Sequence, residues 1–376
     1  MWRYTPVLSV CVQLLLSCFL GAIAAITGVI KPKDRQTLQT FVFCIALPLL
    51  VLRGVSTRVD FYDNTLYPFV GVFLVIRFAT LLVSVAVVLG QRALKGNTVD
   101  VVRALHTGHK TPTLYSQICE LWLSLSWMST VVIGLPVLTA ALTDEKAALK
   151  LSLQAAISSF IFQLPCLITL LETHVEKINT TNRDQRNVYR RVGRRLVRNP
   201  VLWAIMGGIV LSTTHTGTWI NNTRSCVFLS ATMASFASCV TPIGMFVTGA
   251  WIAHRNGLGE NLWRRSRVQE DNTQEEHVQQ PLHQSTWSFH LLQIVLVLLG
   301  KLVLVPLVAL GLAKLLKLPK DEIIGVTLTA SLPVSVASVV VTERHGASSD
   351  LVAAQVICGI LLLLPTASVW CVVLDV

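Results

Sequence analysis

Two stretches decide the fold: SWMSTVVIGLPVLTAAL at residues 126–142 and TASLPVSVASVVV at residues 329–341. Each is an apolar run with one internal proline, Pro136 or Pro333, among small and hydroxylated residues: Ser129 and Gly134 in the first, Ser331, Ser335 and Ser338 in the second. Proline lacks an amide hydrogen and its ring clashes with the preceding turn, so each run is expected to form two half-helices with open backbone between them. The N-terminus of a half-helix presents unpaired N–H groups and the positive end of the helix dipole, which suits a carboxylate or another anion.

The rest of the chain identifies the solvent of these runs. Hydrophobic residues make up 53% of the 376 and charged residues 14%, against about 45–50% and about 25% in a soluble domain. Ten runs are nearly free of charge, at 7–30, 37–52, 67–90, 121–143, 147–171, 201–220, 226–253, 288–313, 323–342 and 351–374. A helix needs about 20 apolar residues to cross the hydrocarbon core. The reading is an all-α polytopic membrane protein with ten spans, which excludes a soluble enzyme, a nucleic-acid binder and a disulfide-stapled secreted module. The nine cysteines lie in or beside the runs without CxxC pairs or zinc spacing, so they read as packing residues, and no metal or cofactor is expected. Arg3 and Ala22-Ile23-Ala24 resemble a signal peptide, but the first run stays apolar beyond that point and reads as a span.

The net charge of +11 comes from 31 Lys and Arg against 20 Asp and Glu. Twenty of the basic residues fall in the connections after odd-numbered spans and nine on the opposite side. By the positive-inside rule the first side is cytoplasmic and both termini are extracytoplasmic. The sequon at Asn179 is then cytoplasmic, and Asn221 lies too near the membrane for glycosylation. The basic connection 172–200 reads as a solvated, orientation-setting loop, with attraction to anionic lipid headgroups as the sharper alternative. The connection 254–287, containing QEDNTQEEHVQQ, reads as polar and flexible.

Prolines repeat at near-equal offsets: Pro48 and Pro242 are 194 residues apart, Pro136 and Pro333 are 197 apart, and Pro165 and Pro365 are 200 apart. The chain therefore divides into a first five-helix repeat at 1–171, the basic loop 172–200, and a second five-helix repeat at 201–376 that includes the loop 254–287. An odd number of spans per half inverts the second copy, and inverted repeats with interrupted helices 4 and 9 are a transporter pattern. Spans 3 and 8 each carry one deep cation, Arg77 and Lys301. A cation at mid-bilayer costs at least about 2.5 kcal/mol and is retained for a partner or a pathway. No Asp or Glu lies deep in any span. Either an anionic ligand supplies the missing charge, or the cations bond to carbonyls freed at a broken helix.

The segments FVFCIALPLLVL, VVIGLPVLTA, NPVLWAIMGGIVL, TPIGMFVTGAWIA and ASLPVSVASVVVTERHG together resemble the auxin efflux carrier superfamily, which includes plant PIN carriers, PIN-like proteins and bacterial relatives. The resemblance covers nearly the whole chain. It implies ten helices in two inverted repeats, a scaffold and a transport unit, spans 4 and 9 crossing at their breaks, and often a homodimer. Family members commonly carry Asn where this chain has Ser129 and Ala337, and plant carriers place an Asp and a Lys where it has Phe73 and Arg77, which argues against auxin itself as the cargo.

The expected function is efflux of a small organic anion by alternating access, without enzymatic activity. Ser129, Gly134, Pro136, Pro333, Ser335 and Ser338 would bind the anion, and Arg77 and Lys301 would bias the cavity positive. With no buried carboxylate to relay protons or sodium, uniport is expected. The alternative is a sterol or lipid sensor of the same fold; the end of the chain at Val376, with no signalling module after it, favours transport.

Overall fold

The computed structural model describes residues 5–59, 61–63, 66–95, 113–142, 144–178, 186–223, 226–258, 287–345 and 350–376. The Asn179 sequon and the QEDNTQEEHVQQ stretch lie outside them. The described residues are helical throughout apart from short turns and one isolated bridge. In lipid, a spanning chain must satisfy its own backbone, and the helix does so within one segment.

In chain order the helices are α1 (Thr5–Ile26), α2 (Pro32–Arg58), α3 (Leu66–Ala93), α4 (Leu114–Ser126), α5 (Thr130–Ala141), α6 (Glu145–Val175), α7 (Arg186–Val197), α8 (Pro200–Thr213), α9 (Thr216–Asn222), α10 (Val227–Arg255), α11 (Leu291–Leu315), α12 (Lys320–Ser331), α13 (Val336–Arg344), α14 (Asp350–Leu361) and α15 (Leu363–Leu374). Among them six are long and apolar enough to cross a membrane, namely α1, α2, α3, α6, α10 and α11. Eight spans result if the bent pairs α7–α8 and α14–α15 each count as one. The protein is an integral, multi-pass membrane protein.

Prolines shape the interior through π turns. Four such turns, Val42–Ala46, Thr130–Gly134, Ser159–Gln163 and Gly300–Leu304, each end two residues before a proline: Pro48, Pro136, Pro165 and Pro306. The amides of Leu47, Leu164 and Val305 reach carbonyls five residues back, those of Val42, Ser159 and Gly300. The added residue turns the carbonyl away from the proline ring that would otherwise strike it.

This corrects the expectation for Pro136. The chain does not open there; it opens at residues 127–129, where Trp127 and Ser129 leave helical geometry. In the second segment the opening does include its proline: α12 ends at Ser331, Leu332 is extended, and α13 resumes at Val336. A residue before proline is pushed out of the helical region, which accounts for Leu332. Pro136 and Pro333 are therefore not equivalent positions. Pro165 and Pro365 also differ in consequence, since the first follows a π turn and the second follows a 64° bend. Span 6, expected to run to residue 220, instead stops as α8 at Thr213 and turns through a left-handed His215 into α9. The connection 172–200, read as a loop, contains α7.

α1 packs along α10. The seam consists of Gly21, Ala25, Gly249, Ala250 and Ala253, and the two backbones touch across both glycines. Small residues at such a seam allow the close approach that drives helix association in lipid.

Candidate functional site

The two interrupted segments meet at their openings. Met128 and Val334 form an antiparallel bridge, in which Ser129 N–H donates to Pro333 O at 3.1 Å and Ser335 N–H donates to Trp127 O at 3.3 Å. Each break thus satisfies part of the backbone that the other leaves open, which buried chain in a membrane requires. Gly134 allows the approach: a side-chain carbon there would lie 2.7 Å from Leu332 Cδ1. Gly359 plays the same part for Pro333, since a methyl carbon at that position would fall 2.8 Å from the proline Cβ.

Met128 and Val334 are the non-hydrogen-bonded pair of this bridge, for which the Cα separation is about 4.5 Å. That falls in the range a disulfide spans, about 4.4–6.8 Å. Mild oxidation of Met128→Cys/Val334→Cys is expected to link the two segments, read as a cross-linked peptide pair by mass spectrometry. Two free thiols would mean that the breaks do not meet.

Beside the bridge lies a small, partly open cavity. Its wall includes Ser129, Val132 and Ile133 from the first segment, Val334, Ser335, Val336 and Ala337 from the second, Gln39 from α2 and Thr248 from α10. The starts of α5 and α13 both border it, so the positive ends of two helix dipoles lie at its edge. Gln39 is 9% exposed, and among the described residues its Nε2 has no partner. A buried donor left unsatisfied costs about 1–3 kcal/mol, and a bound acceptor would recover it. Most of the remaining wall is aliphatic or aromatic, as ligand cavities commonly are.

The expected site residues separate into two groups. Ser129 and Ser335 line the cavity; Ser335 Oγ caps α13 by accepting from Ala337 N–H at 3.3 Å. Gly134, Pro136, Pro333 and Ser338 lie outside the lining. Ser338 is fully buried and donates to Ser335 O at 2.5 Å, so it braces the start of α13.

Arg77 and Lys301 also lie outside the lining and are buried. The guanidinium of Arg77 donates to the hydroxyls of Ser158 and Ser159, both at 2.6 Å, and to Ala155 O at 3.4 Å, around the π turn before Pro165. Phe73 packs beneath it, with the guanidinium carbon 5.8 Å from the ring centroid. The Lys301 ammonium donates to Ala330 O at 3.1 Å, a carbonyl that the opening of the second segment frees. Of the two roles open to these cations, the contacts describe bonding at interrupted helices. The first opening is braced in a comparable way: Gln163 donates to Ser126 Oγ, and Ser126 donates to Trp122 O at 2.7 Å.

Sequence reasoning missed Gln39. It sits in RQTLQT, the polar entry to span 2, where it reads as an ordinary span-end residue, and the sequence carries no stronger signal for it. Among the described residues, no group of His, Cys, Asp or Glu could hold a metal ion.

An all-helical multi-pass chain whose interrupted helices cross beside a small cavity has the form of a membrane transport protein. Residues 120–371 match the family model for membrane transport proteins, the auxin efflux carrier domain, and since that match spans more than half of the chain, the protein belongs to this family. No curated protein sequence matches it.

Proposed function

We propose that the protein is a secondary carrier that exports a small organic anion by alternating access. The observation that carries this reading is the cavity beside the Met128–Val334 bridge, bordered by the starts of two half-helices and by the Gln39 amide, whose Nε2 has no partner among the described residues. Helix N-termini and an amide donor favour an anionic head, and the apolar wall favours a hydrocarbon or aromatic body. Ser129 and Ser335 add hydroxyls, while Arg77 and Lys301 add positive potential from outside the lining. Gly134, Pro136, Pro333 and Ser338 hold the backbone that presents these groups.

In this proposal the two interrupted segments count as spans 4 and 9, making ten in all. Residues 1–171 and 201–376 form inverted halves, joined by 172–200, and one unit rocks against the other around the crossing. The basic connections face the cytoplasm and both termini face away from it. A homodimer fits the same reading.

The expectation of no buried carboxylate does not hold, since Glu172 and Glu322 are buried. Both lie outside the cavity lining, and with no carboxylate among the described lining residues to relay a proton, the carrier is read as a uniporter driven by the anion's own gradient. Purified protein in proteoliposomes should take up labelled monocarboxylates according to membrane potential, with equilibrium ratios changing about fifty-fold per 100 mV, the equivalent of about 2.3 kcal/mol per charge. Flux that ignores potential but follows a pH gradient would contradict uniport. Saturable sterol or lipid binding with no flux would favour a sensor instead.

A further inference from the structure

The arginines of α7 and the residue after it divide between two tasks. Glu172, at the end of α6 and 1% exposed, pairs with Arg195 Nε at 2.7 Å and Arg191 Nε at 3.4 Å. His345, following α13, reaches the same carboxylate at 3.8 Å and contacts Arg195. Val192 and Leu196 pack into the core beside this cluster. One face of α7 is thereby fixed to the protein.

Arg190, Arg194 and Arg198 are spaced four apart, so they share one stripe. All three are exposed, and among the described residues none of their guanidinium groups has a partner. Tyr189 and Val197 are exposed as well.

The position of α7 relative to lipid follows from its junction with α8. Asn199 caps α8 by accepting from Val201 N–H at 3.0 Å, Pro200 opens it, and α7 bends 63° away from it. With α8 taken as the crossing part of this bent pair, α7 turns toward the membrane plane. Trp203, 62% exposed, donates its indole N–H to Val197 O, the last carbonyl of α7, at 2.6 Å. Exposed tryptophans with one polar anchor concentrate at the level of the lipid headgroups. The end of α7 therefore sits at that level, with three unpaired arginines beside it.

We propose that α7 is an in-plane interfacial helix whose Arg190, Arg194 and Arg198 bind the phosphates of anionic lipid headgroups. Glu172 creates this surface by withdrawing Arg191 and Arg195 to the protein side and leaving the other three free. Because α7 is also tied to His345 at the end of the second interrupted segment, lipid held by the stripe is positioned to steady that segment. The surface is separate from the cavity, and its test does not depend on transport.

The test compares trace spin-labelled phosphatidylserine and phosphatidylcholine in proteoliposomes of phosphatidylcholine containing the full-length chain. Wild type should restrict the phosphatidylserine label preferentially, and added salt should weaken the preference. R190Q/R194Q/R198Q should lose most of it, each glutamine lowering it by up to about five-fold. R190K/R194K/R198K should retain it, since a point charge suffices for a headgroup phosphate and a fold defect would not be rescued this way. Equal restriction of the two labels by wild type, as a face reserved for an acidic soluble protein would give, overturns the proposal. So does an undiminished preference in the glutamine variant.

Discussion

Gly249→Ala is expected to remove most of the folded protein. A methyl carbon at Gly249 would lie 1.7 Å from Cys18 O and 2.6 Å from Cys18 C, while one at Gly21 would lie 1.9 Å from Phe246 O. Both obstacles are backbone, so no rotamer change relieves them, and α1 and α10 must separate along the seam that Ala25, Ala250 and Ala253 otherwise close. Overpacking of this kind costs about 3 kcal/mol, and in lipid the lost van der Waals contact is the main force holding two helices together. Gly311 is the control. A methyl carbon there meets nothing within 4 Å, and alanine is the better helix former by about 0.8–1.0 kcal/mol. Thermal unfolding in detergent and monodisperse yield should fall sharply for Gly249→Ala and hold or rise for Gly311→Ala. A wild-type melting temperature for Gly249→Ala would mean that the seam is not as close as described.

Much of the fold is legible in the sequence because lipid imposes a coarse rule. Long uncharged runs become helices, and residues such as Arg77 and Lys301 stand out against them. Their partners do not stand out. Arg77 is held by Ser158 and Ser159, about eighty positions away, and Lys301 by a backbone carbonyl that exists only because α12 stops. Proline was an uneven guide for a similar reason. Pro333 lies in an opening, but Pro48, Pro136, Pro165 and Pro306 are absorbed by π turns within otherwise continuous helices. The opening at residues 127–129 contains neither proline nor glycine, and it is stable because Pro333 O and Ser335 N–H complete its hydrogen bonds from the other half of the chain. A signal that depends on two distant segments meeting is absent from either one alone.

The basic connection illustrates a different loss. Val192 and Leu196 recur at helical spacing inside RNVYRRVGRRLV, but the density of arginine masks that pattern and suggests a solvated loop. What makes it a docked helix is Glu172, which neutralises two of those arginines from a buried position. The cavity was half legible. Ser335 could be named from its place beside Pro333 and Ser129 from the Asn that the family commonly carries there, whereas Gln39 is brought to the cavity by α2 from another part of the chain.

Filling the cavity should affect activity as strongly as opening the α1–α10 seam affects folding. Ala337 lies on the first turn of α13, lines the cavity, and donates its N–H to the Ser335 hydroxyl that caps that helix. An indole at this position occupies the space assigned to the anion at the positive end of α13. Ala337→Ser changes the wall by one hydroxyl and leaves the space open, so it serves as the matched control. The direct measurement is initial uptake of labelled monocarboxylates by proteoliposomes bearing wild type, Ala337→Trp or Ala337→Ser, with monodispersity and melting temperature recorded for each. The crossing as the anion site predicts uptake by wild type and Ala337→Ser, and loss of at least ten-fold, about 1.4 kcal/mol, for a folded Ala337→Trp; undiminished uptake by folded Ala337→Trp would contradict it.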